Sequence, residues 1–428
     1  MLPKTSRIVA LCSAANFINA ADRVLMPIAI VQMSEEFSWT LHGQGWILSS
    51  FAFGYLTSQI IGASAASKIG GKSVLTSAVF LWSLSTLLTP LVASSVYLLV
   101  LSRVLLGLGE GLGLPTIFHI FAHTVPVEER SRAFGYLVAF GSIGQTVTAV
   151  ICPHLPWQVS FYSFGVLGII WVFVWLTMYH EHTSTSEDEL PLVYPKVFLL
   201  ITVFLDLQAQ FIGKIRIYVV TDVNNTNVRW TEFICHWPLW AIYIAHFAMN
   251  WSNYIIMQWL PTYLSRNLGA NKEDISLTAV PYILNSLVGV VSGHFADSLV
   301  SHKWTVLSVR RLMTSIGLLG PGVFLLCFCA VNNLLSAVVF ISISMGLCAC
   351  NSAGHLSNHA DVAPNHAGVT FAVSNTLATI PGILCGPVTA ELVTQSHGRW
   401  FPVFVVAAFI NFVGAIIYHS QSSASQVL

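Results

Sequence analysis

The feature that most limits the fold of this chain is a series of apolar stretches, each near twenty residues long. An α-helix rises about 1.5 Å per residue, so about twenty apolar residues span the hydrocarbon core of a bilayer. Six such stretches precede the region 181–235 and six follow it. The sequence therefore predicts an all-α membrane protein with twelve transmembrane helices in two six-helix bundles. The stretches occupy residues 8–31, 44–65, 73–93, 96–120, 133–153, 157–180, 237–260, 275–297, 312–331, 333–352, 367–391 and 400–419.

Composition agrees with a polytopic membrane protein and excludes several other classes. Hydrophobic residues make up 55% of the chain and charged residues only 8%, against roughly 25% charged in soluble domains. The 18 basic and 18 acidic residues balance, which argues against a nucleic-acid partner. The eight cysteines lie mostly in apolar stretches without a Cys-x-x-Cys pair, so we expect neither a metal site nor disulfides. No H-E-x-x-H or paired-carboxylate motif points to an enzyme, and we expect no cofactor.

The polar region between the halves predicts the domain organisation. We expect an N-terminal bundle over residues 1–180, a cytoplasmic linker over 181–235 and a C-terminal bundle over 236–428. Within the linker, residues 196–220 are apolar in patches that Asp206, Lys214 and Arg216 interrupt. The uninterrupted run is too short to cross a bilayer, so this segment is interpreted as an atypical insertion in the linker.

The distribution of basic residues predicts the orientation. Lys and Arg favour the cytoplasmic side of membrane proteins. With both termini cytoplasmic, thirteen of the 18 basic residues fall on the inside. Only Arg266, Lys272 and Arg399 fall outside. We therefore expect a multi-pass protein with two cytoplasmic termini, in either the plasma membrane or an organelle or vesicle membrane.

The fourth apolar stretch carries one charge of each sign, Arg103 and Glu110. Seven residues are almost two helical turns, which places both side chains on one face, about 10 Å apart. A charge at mid-membrane costs at least about 2.5 kcal/mol, so such residues face a protein interior or a water-filled path. The stretch is interpreted as the wall of a solute pathway, and a structural ion pair that locks two helices is the alternative. We expect close helix approach at the glycines between and beyond the two charges, Gly107, Gly109, Gly111 and Gly113.

Short motifs follow the apolar stretches in a distinctive order. They include Asp22-Arg23, Gly54-Tyr55 with Gln59, Arg103 with Glu110-Gly111 and Pro115, Glu129-Arg130-Ser131-Arg132, Trp259-Leu260-Pro261-Thr262-Tyr263, Val309-Arg310-Arg311, Asn358-His359-Ala360-Asp361 with Pro364, and Ser374-Asn375-Thr376. In this order they resemble the anion:cation symporter family of the major facilitator superfamily. That family includes sodium/phosphate cotransporters, sialin, vesicular glutamate and nucleotide carriers, and plant anion transporters. The resemblance implies the major facilitator fold, with a solute site between the halves near mid-membrane.

The resemblance also implies roles for particular side chains. It implies substrate binding by Arg103, Arg23, Tyr55 and Tyr254, and proton or ion coupling by Glu110, His359, Asn358 and Asn375. Physical chemistry supports the arginines and the glutamate independently. A guanidinium binds carboxylate or phosphate through two parallel hydrogen bonds, and a carboxylate in the same cavity can take up and release a proton. Leu48 stands where glutamate carriers have a histidine, which favours phosphate or a nucleotide over glutamate.

The sequence as a whole predicts a secondary active transporter of anions, inorganic phosphate or an organic anion, that works by alternating access. The coupling ion is expected to be H⁺ or Na⁺. A vesicular nucleotide-type carrier and a transceptor that keeps the fold without transport are the alternatives, since a fold does not fix a function. We expect a small anionic solute and the lipid bilayer as partners, and a functional monomer.

Overall fold

The computed structural model describes residues 4–125, 127–179, 232–364 and 366–427, and their long regular elements are all helices. The α-helices are α1 (Lys4–Glu36), α2 (Leu41–Ile69), α3 (Gly71–Val92), α4 (Val96–Thr124), α5 (Val127–Ile151), α6 (Trp157–Met178), α7 (Glu232–Cys235), α8 (Trp237–Leu268), α9 (Ala279–Ser301), α10 (Val306–Ala330), α11 (Leu334–Cys348), α12 (His355–Val362), α13 (Ala367–Gln395) and α14 (Phe401–Gln421). Short 3₁₀ segments cover Cys152–His154, Asp274–Thr278 and Ala349–Ser352.

Each of the twelve predicted spans coincides with helix, which confirms the fold class. The helices are generally longer than the apolar stretches, as α1 shows by beginning at Lys4 and ending at Glu36. Apolar runs mark only the part of a helix that lies in hydrocarbon, and the polar ends continue into the interface. Helix starts are capped locally: the Thr40 hydroxyl accepts a hydrogen bond from the backbone N–H of Gly43 at 3.2 Å.

Ten helices in the described ranges are long and apolar enough to cross a membrane, and the two long helices outside this set are α2 and α8. Both contact the other half of the protein and carry the polar side chains that this contact uses. On α2, the Gln59 side chain donates to Thr379 of α13 at 3.2 Å. On α8, the Gln258 side chain donates to the backbone oxygen of Leu48 on α2 at 3.4 Å. Both helices therefore use polar side chains in the contact between the halves.

The tenth span continues beyond its predicted end after a break in the helix. We expected residues 333–352, whereas α11 ends at Cys348, a 3₁₀ segment follows, and α12 begins at His355. Gly354 lies at the break. A Cβ there would come within 2.3 Å of the Thr314 hydroxyl and 2.7 Å of the Thr314 backbone nitrogen on α10. Only glycine leaves room for this approach.

The two halves meet along three helix pairs: α1 with α8, α2 with α13, and α5 with α9. We call the side of the bundle where α1 begins and α14 ends the terminus side, and the opposite side the far side. Three polar contacts join the halves on the far side. The His42 ring lies 2.8 Å from Glu391, the Gly386 N–H donates to the Ser49 hydroxyl at 3.2 Å, and Arg266 donates to Ser34 at 3.4 Å.

Most of the predicted linker, including the insertion at residues 196–220, lies outside the described residues. Its last four residues form α7. The domain boundaries therefore remain a prediction.

Candidate functional site

An ion pair between the first and fourth spans lies at the centre of the N-terminal half. Arg23 Nε donates to Glu110 Oε2 at 2.8 Å. The Glu110 side chain is fully buried, whereas 20% of the Arg23 side chain remains exposed. Glu110 Oε1 has no hydrogen-bond partner in the structure. A buried carboxylate with one free oxygen keeps a place for a proton while the other oxygen holds the arginine.

Aromatic rings surround the Arg23 guanidinium. Its carbon lies 4.5 Å from the ring centre of Tyr55 and 5.3 Å from that of Phe51, both on α2. Rings at this distance attract a guanidinium through their negative faces. Tyr254 on α8 interacts electrostatically with the same group from the C-terminal half. Arg23 Nη2 has no hydrogen-bond partner, so the guanidinium retains a donor for a ligand.

Arg103 is held differently from what the helical spacing suggested. Its Nη2 donates to the backbone oxygen of Ser85 at 3.3 Å and to the Thr89 hydroxyl, both on α3. The guanidinium also lies 5.5 Å from the ring centre of Phe161 on α6. The ion pair of Glu110 is therefore with Arg23 and not with Arg103, because α1 packs over the part of α4 that carries Glu110. Arg103 Nε has no partner.

A small cavity joins these groups to a residue for which we predicted no role. Asp22 is 2% exposed, and the Thr86 hydroxyl and the Arg103 guanidinium interact with its carboxylate. The motif Asp22-Arg23 carried the signal, since a carboxylate in an apolar first stretch is as costly as an arginine. The cavity walls come from both halves: Asp22, Arg23, Met26, Pro27, Ile47, Leu48, Phe51, Arg103, Leu106, Met257 and Gln258.

The glycines of α4 allow the close packing that positions these charges. A Cβ at Gly107 would lie 2.1 Å from the backbone oxygen of Phe51, and one at Gly111 would lie 2.0 Å from the Ser58 hydroxyl, both on α2. Gly109 makes the corresponding approach to α3, where a Cβ would lie 2.9 Å from the backbone oxygen of Ala78. The prediction that these glycines admit close neighbours is confirmed.

The other predicted coupling residues lie in two separate places. Asn375 donates to the Gln59 side chain at 2.6 Å, across the interface between α13 and α2. Asn358 and His359 lie inside the C-terminal half, where Asn358 donates to the Tyr418 hydroxyl at 2.9 Å and His359 Nδ1 lies 3.1 Å from the Thr370 hydroxyl. The structure thus places Arg23 and Arg103 on the wall of one cavity. Glu110, Tyr55 and Tyr254 interact with Arg23 behind that wall, whereas Asn375, Asn358 and His359 lie elsewhere.

Two helical bundles that both line a charged cavity are typical of a multi-pass membrane transporter. The Major Facilitator Superfamily profile matches residues 12–384. Solved structures with the same fold include a bacterial homologue of the human lysosomal transporter Spinster, with a TM-score of 0.76 at 15% identity over 98% of this chain and 97% of that one. A D-xylose-proton symporter aligns with a TM-score of 0.70 at 12% identity over 97% and 98% of the two chains.

Sequence similarity to named transporters places the chain more closely within this superfamily. The chain is 34% identical to the chloroplastic sodium-dependent phosphate transport protein 1 of Arabidopsis thaliana, over 100% of this chain and 80% of the relative. It is 36% identical to sialin of Ovis aries, over 92% and 78%, and 32% identical to the chloroplastic ascorbate transporter of Arabidopsis thaliana, over 100% and 76%. The chain belongs to the major facilitator superfamily and, within it, to the anion:cation symporter family, whose members are transporters rather than enzymes.

Proposed function

We propose that this protein is a secondary active transporter that moves a small anion together with a proton by alternating access. Glu110 and Asp22 neutralise Arg23 and Arg103 when both carboxylates are ionised. An anion that enters the cavity then meets no net positive charge. The low dielectric of the site strengthens the electrostatic interactions, so the net charge of the site decides whether the anion binds. Protonating one carboxylate leaves the site with one net positive charge, which the anion can neutralise.

The observation that carries this proposal is the 2.8 Å ion pair between Arg23 and Glu110. Glu110 and the anion compete for the same guanidinium, because Arg23 donates to Glu110 through Nε. When Glu110 takes up a proton, its attraction for Arg23 weakens and the arginine becomes available to the anion. Proton binding and anion binding therefore favour one another, and this reciprocity is the thermodynamic requirement for symport.

The contacts between the halves support alternating access. Met26, Leu48 and Met257 line the far side of the charged cavity. Beyond them, the Gly386–Ser49 and His42–Glu391 contacts join α2 to α13. For the cavity to open on the far side, these contacts must separate. With both termini in the cytoplasm, as we propose from the basic residues, the far side is the extracytoplasmic mouth.

The names of the relatives limit the choice of solute. Two of them name phosphate and ascorbate, both of which are anionic at neutral pH. Two guanidinium groups, each with one nitrogen that lacks a partner, suit an oxyanion or carboxylate that accepts from both. We therefore propose inorganic phosphate or a small organic anion as the solute and H⁺ as the coupling ion, with a functional monomer.

Counterflow in liposomes tests this proposal. Purified protein is reconstituted, and uptake of labelled phosphate, ascorbate, sialate, glutamate, urate and ATP is measured while pH and sodium gradients are imposed separately. We expect uptake of at least one of these anions and stimulation by an inward proton gradient without sodium. Uptake that follows only a sodium gradient would contradict proton coupling. Absence of uptake for every anion, with correctly folded protein, would contradict transport of these solutes.

A further inference from the structure

Three buried histidines form a compact group inside the C-terminal half, apart from the charged cavity. His246 on α8 and His355 on α12 have ring centres 5.8 Å apart. His359 follows His355 by one helical turn and lies on the same face of α12. All three are almost fully buried, with exposed fractions of 3%, 0% and 3%. We call His246, His355 and His359 the histidine cluster.

Hydrogen bonding fixes the tautomer of one ring and leaves other nitrogens without partners. The Thr370 hydroxyl donates its proton to the backbone oxygen of Ala367 at 3.0 Å. It therefore accepts from His359 Nδ1, 3.1 Å away, so neutral His359 carries its proton on Nδ1 and a lone pair on Nε2. That Nε2 has no partner, and neither ring nitrogen of His355 has one. Buried polar groups normally have hydrogen-bond partners, so these free nitrogens indicate a ligand.

The backbone around the histidine cluster has the form of an ion site. His355 is the first residue of α12, immediately after the break in the tenth span. Discontinuous helices in transporters commonly surround substrate or ion sites. Arg310 stabilises this break by donating to the backbone oxygen of Ala353 at 2.9 Å and to Asp361 at 2.7 Å. A helix break held in place beside unpartnered histidines is costly to maintain without a function.

The side chains around the histidine cluster do not have the arrangement of a metal site. In the described ranges, no group of three His, Cys, Asp or Glu residues is arranged to hold a metal. The acidic residue of α12, Asp361, is already paired with Arg310, so no free carboxylate stabilises a positive charge in the histidine cluster. The titratable or charged groups on the elements around it are Tyr243 on α8, Arg310 on α10, Cys350 on the 3₁₀ segment, Asp361 on α12, His366 before α13 and Tyr418 on α14.

The histidine cluster lies close to the protein surface on one side. The Phe371 ring on α13 lies 6.0 Å from that of His246 and 5.7 Å from that of His359, and Phe371 is 39% exposed. Ser374, three residues further along α13, has its hydroxyl 2.8 Å from His246 Nδ1. A shift of α13 that displaces Phe371 would therefore admit water to the rings. The adjacent residue, Asn375, contacts Gln59 of the other half, so movement of the halves reaches this helix directly.

We propose that the histidine cluster is a proton-binding site of the C-terminal half, separate from Glu110, whose occupancy depends on the conformation of α13. In the closed arrangement a proton has no compensating charge, and burying it is costly. When α13 moves and water enters, His359 Nε2 accepts a proton from hydronium and becomes an imidazolium. Proton binding then favours the conformation in which the rings are hydrated. This inference rests on the proposed transport function.

Solid-state NMR of the whole protein in lipid vesicles tests the site without transport. The histidine ring nitrogens are labelled with ¹⁵N, and spectra are recorded at about pH 8 and about pH 5, on either side of the usual histidine titration. Difference spectra against His359→Gln, whose amide can still donate to Thr370, identify the His359 signals. We expect the Nδ1-protonated tautomer at the higher pH and an imidazolium at the lower pH. A His359 signal that stays neutral at both values would overturn the proposal.

Uptake measurements separate a proton site from a merely structural group. His359→Gln keeps a donor to the Thr370 hydroxyl and cannot take up a proton, so the protein should still fold in either case. A proton site also predicts that His359→Gln loses the acid-stimulated part of anion uptake while exchange at one fixed pH continues. A structural role predicts an unchanged pH profile. The control is His294→Gln on exposed α9, whose ring lies 2.9 Å from the Val290 backbone oxygen. Absence of uptake by the wild type would count against the transport function, and the NMR result would still decide the site.

Discussion

Arg23 and Glu110 pair across α1 and α4 at 2.8 Å, although 87 residues separate them in the sequence. The pair lies beside the cavity to which both halves of the protein contribute. A buried ion pair adds little to stability, because desolvation of the two charges offsets most of their attraction. Its place beside unpartnered nitrogens of Arg23 and Arg103 is the basis of our proposal that it serves the transport cycle.

The first prediction concerns Glu110→Gln. Glutamine keeps an oxygen that accepts from Arg23 Nε but cannot take up a proton, so anion exchange should continue while uptake driven by a pH gradient is lost. Both modes are measured in the same liposomes, with Glu273→Gln on the exposed far side as the control. If the pair is only structural, the free energy of unfolding should fall by roughly 3–5 kcal/mol, and the rates of exchange and of pH-driven uptake should fall together. Undiminished pH-driven uptake would show that Glu110 does not carry the proton.

The second prediction concerns Arg103→Lys. An ammonium can keep the hydrogen bonds to Ser85 and Thr89 but lacks a second nitrogen for the anion, so the planar fork is lost. A hydrogen bond to a charged group stabilises a complex by about 1.5–3 kcal/mol. Anion uptake at low substrate concentration should therefore fall roughly 10- to 100-fold. The exposed Arg399→Lys is the matched control. Full uptake by Arg103→Lys would mean that Arg103 supplies only charge.

The fold follows from the sequence because length and hydropathy decide which segments cross a bilayer, and each predicted span is helical. The break in the tenth span could not be seen in this way. Asn351, Ser352 and Gly354 make this segment less apolar than residues 343–348, but a drop in hydropathy does not locate a break. At Gly354 the close approach of Thr314 on α10 is a tertiary contact. Hydropathy sums along the chain carry no information about such a contact.

Of the predicted site residues, Arg23, Arg103 and Glu110 lie near one another in the structure, but the sequence did not predict which of them form a pair. Helical spacing placed Arg103 and Glu110 on one face, but it cannot show which neighbouring helix covers which turn. The glycines of α4 admit α2 and α3 on different sides, and this packing turns Arg103 towards Ser85 and leaves Glu110 to Arg23. The motif that contains Asp22 was recognised, yet only the burial of its carboxylate reveals a place in the cavity.

The third prediction concerns Asp22→Asn. Asparagine has nearly the shape of the buried Asp22 side chain, so the protein should still fold. The cavity gains one net positive charge, and the apparent affinity for the anion should rise about tenfold, as for a charge roughly 10 Å away at an effective dielectric of about 20. The maximal transport rate should fall because the anion dissociates more slowly from the more positive cavity. KM and maximal rate are measured separately, and a lower affinity together with lost sodium stimulation would instead identify Asp22 as a cation ligand.

The last prediction concerns the far-side contact between α2 and α13, where Gly386→Ala should hinder closure. A Cβ at Gly386 would lie 2.2 Å from both the Gly45 backbone oxygen and the Ser49 hydroxyl. The Gly45 oxygen belongs to the backbone, so the two helices must separate at a cost of about 1–3 kcal/mol. That cost falls on the far-side-closed state, and conformations open on the far side should gain population while anion exchange slows.

Spin labels at Ser94→Cys and Asn332→Cys report this change, because both positions are exposed far-side turns on opposite halves. We expect the distance distribution in Gly386→Ala to shift towards longer separations. Gly293→Ala on α9 is the matched control, since a Cβ there meets no atom within 4 Å, and it should leave both the distances and the exchange rate unchanged. An unchanged distribution in Gly386→Ala, with exchange at the wild-type rate, would show that the Gly45–Gly386 approach does not control the far-side mouth.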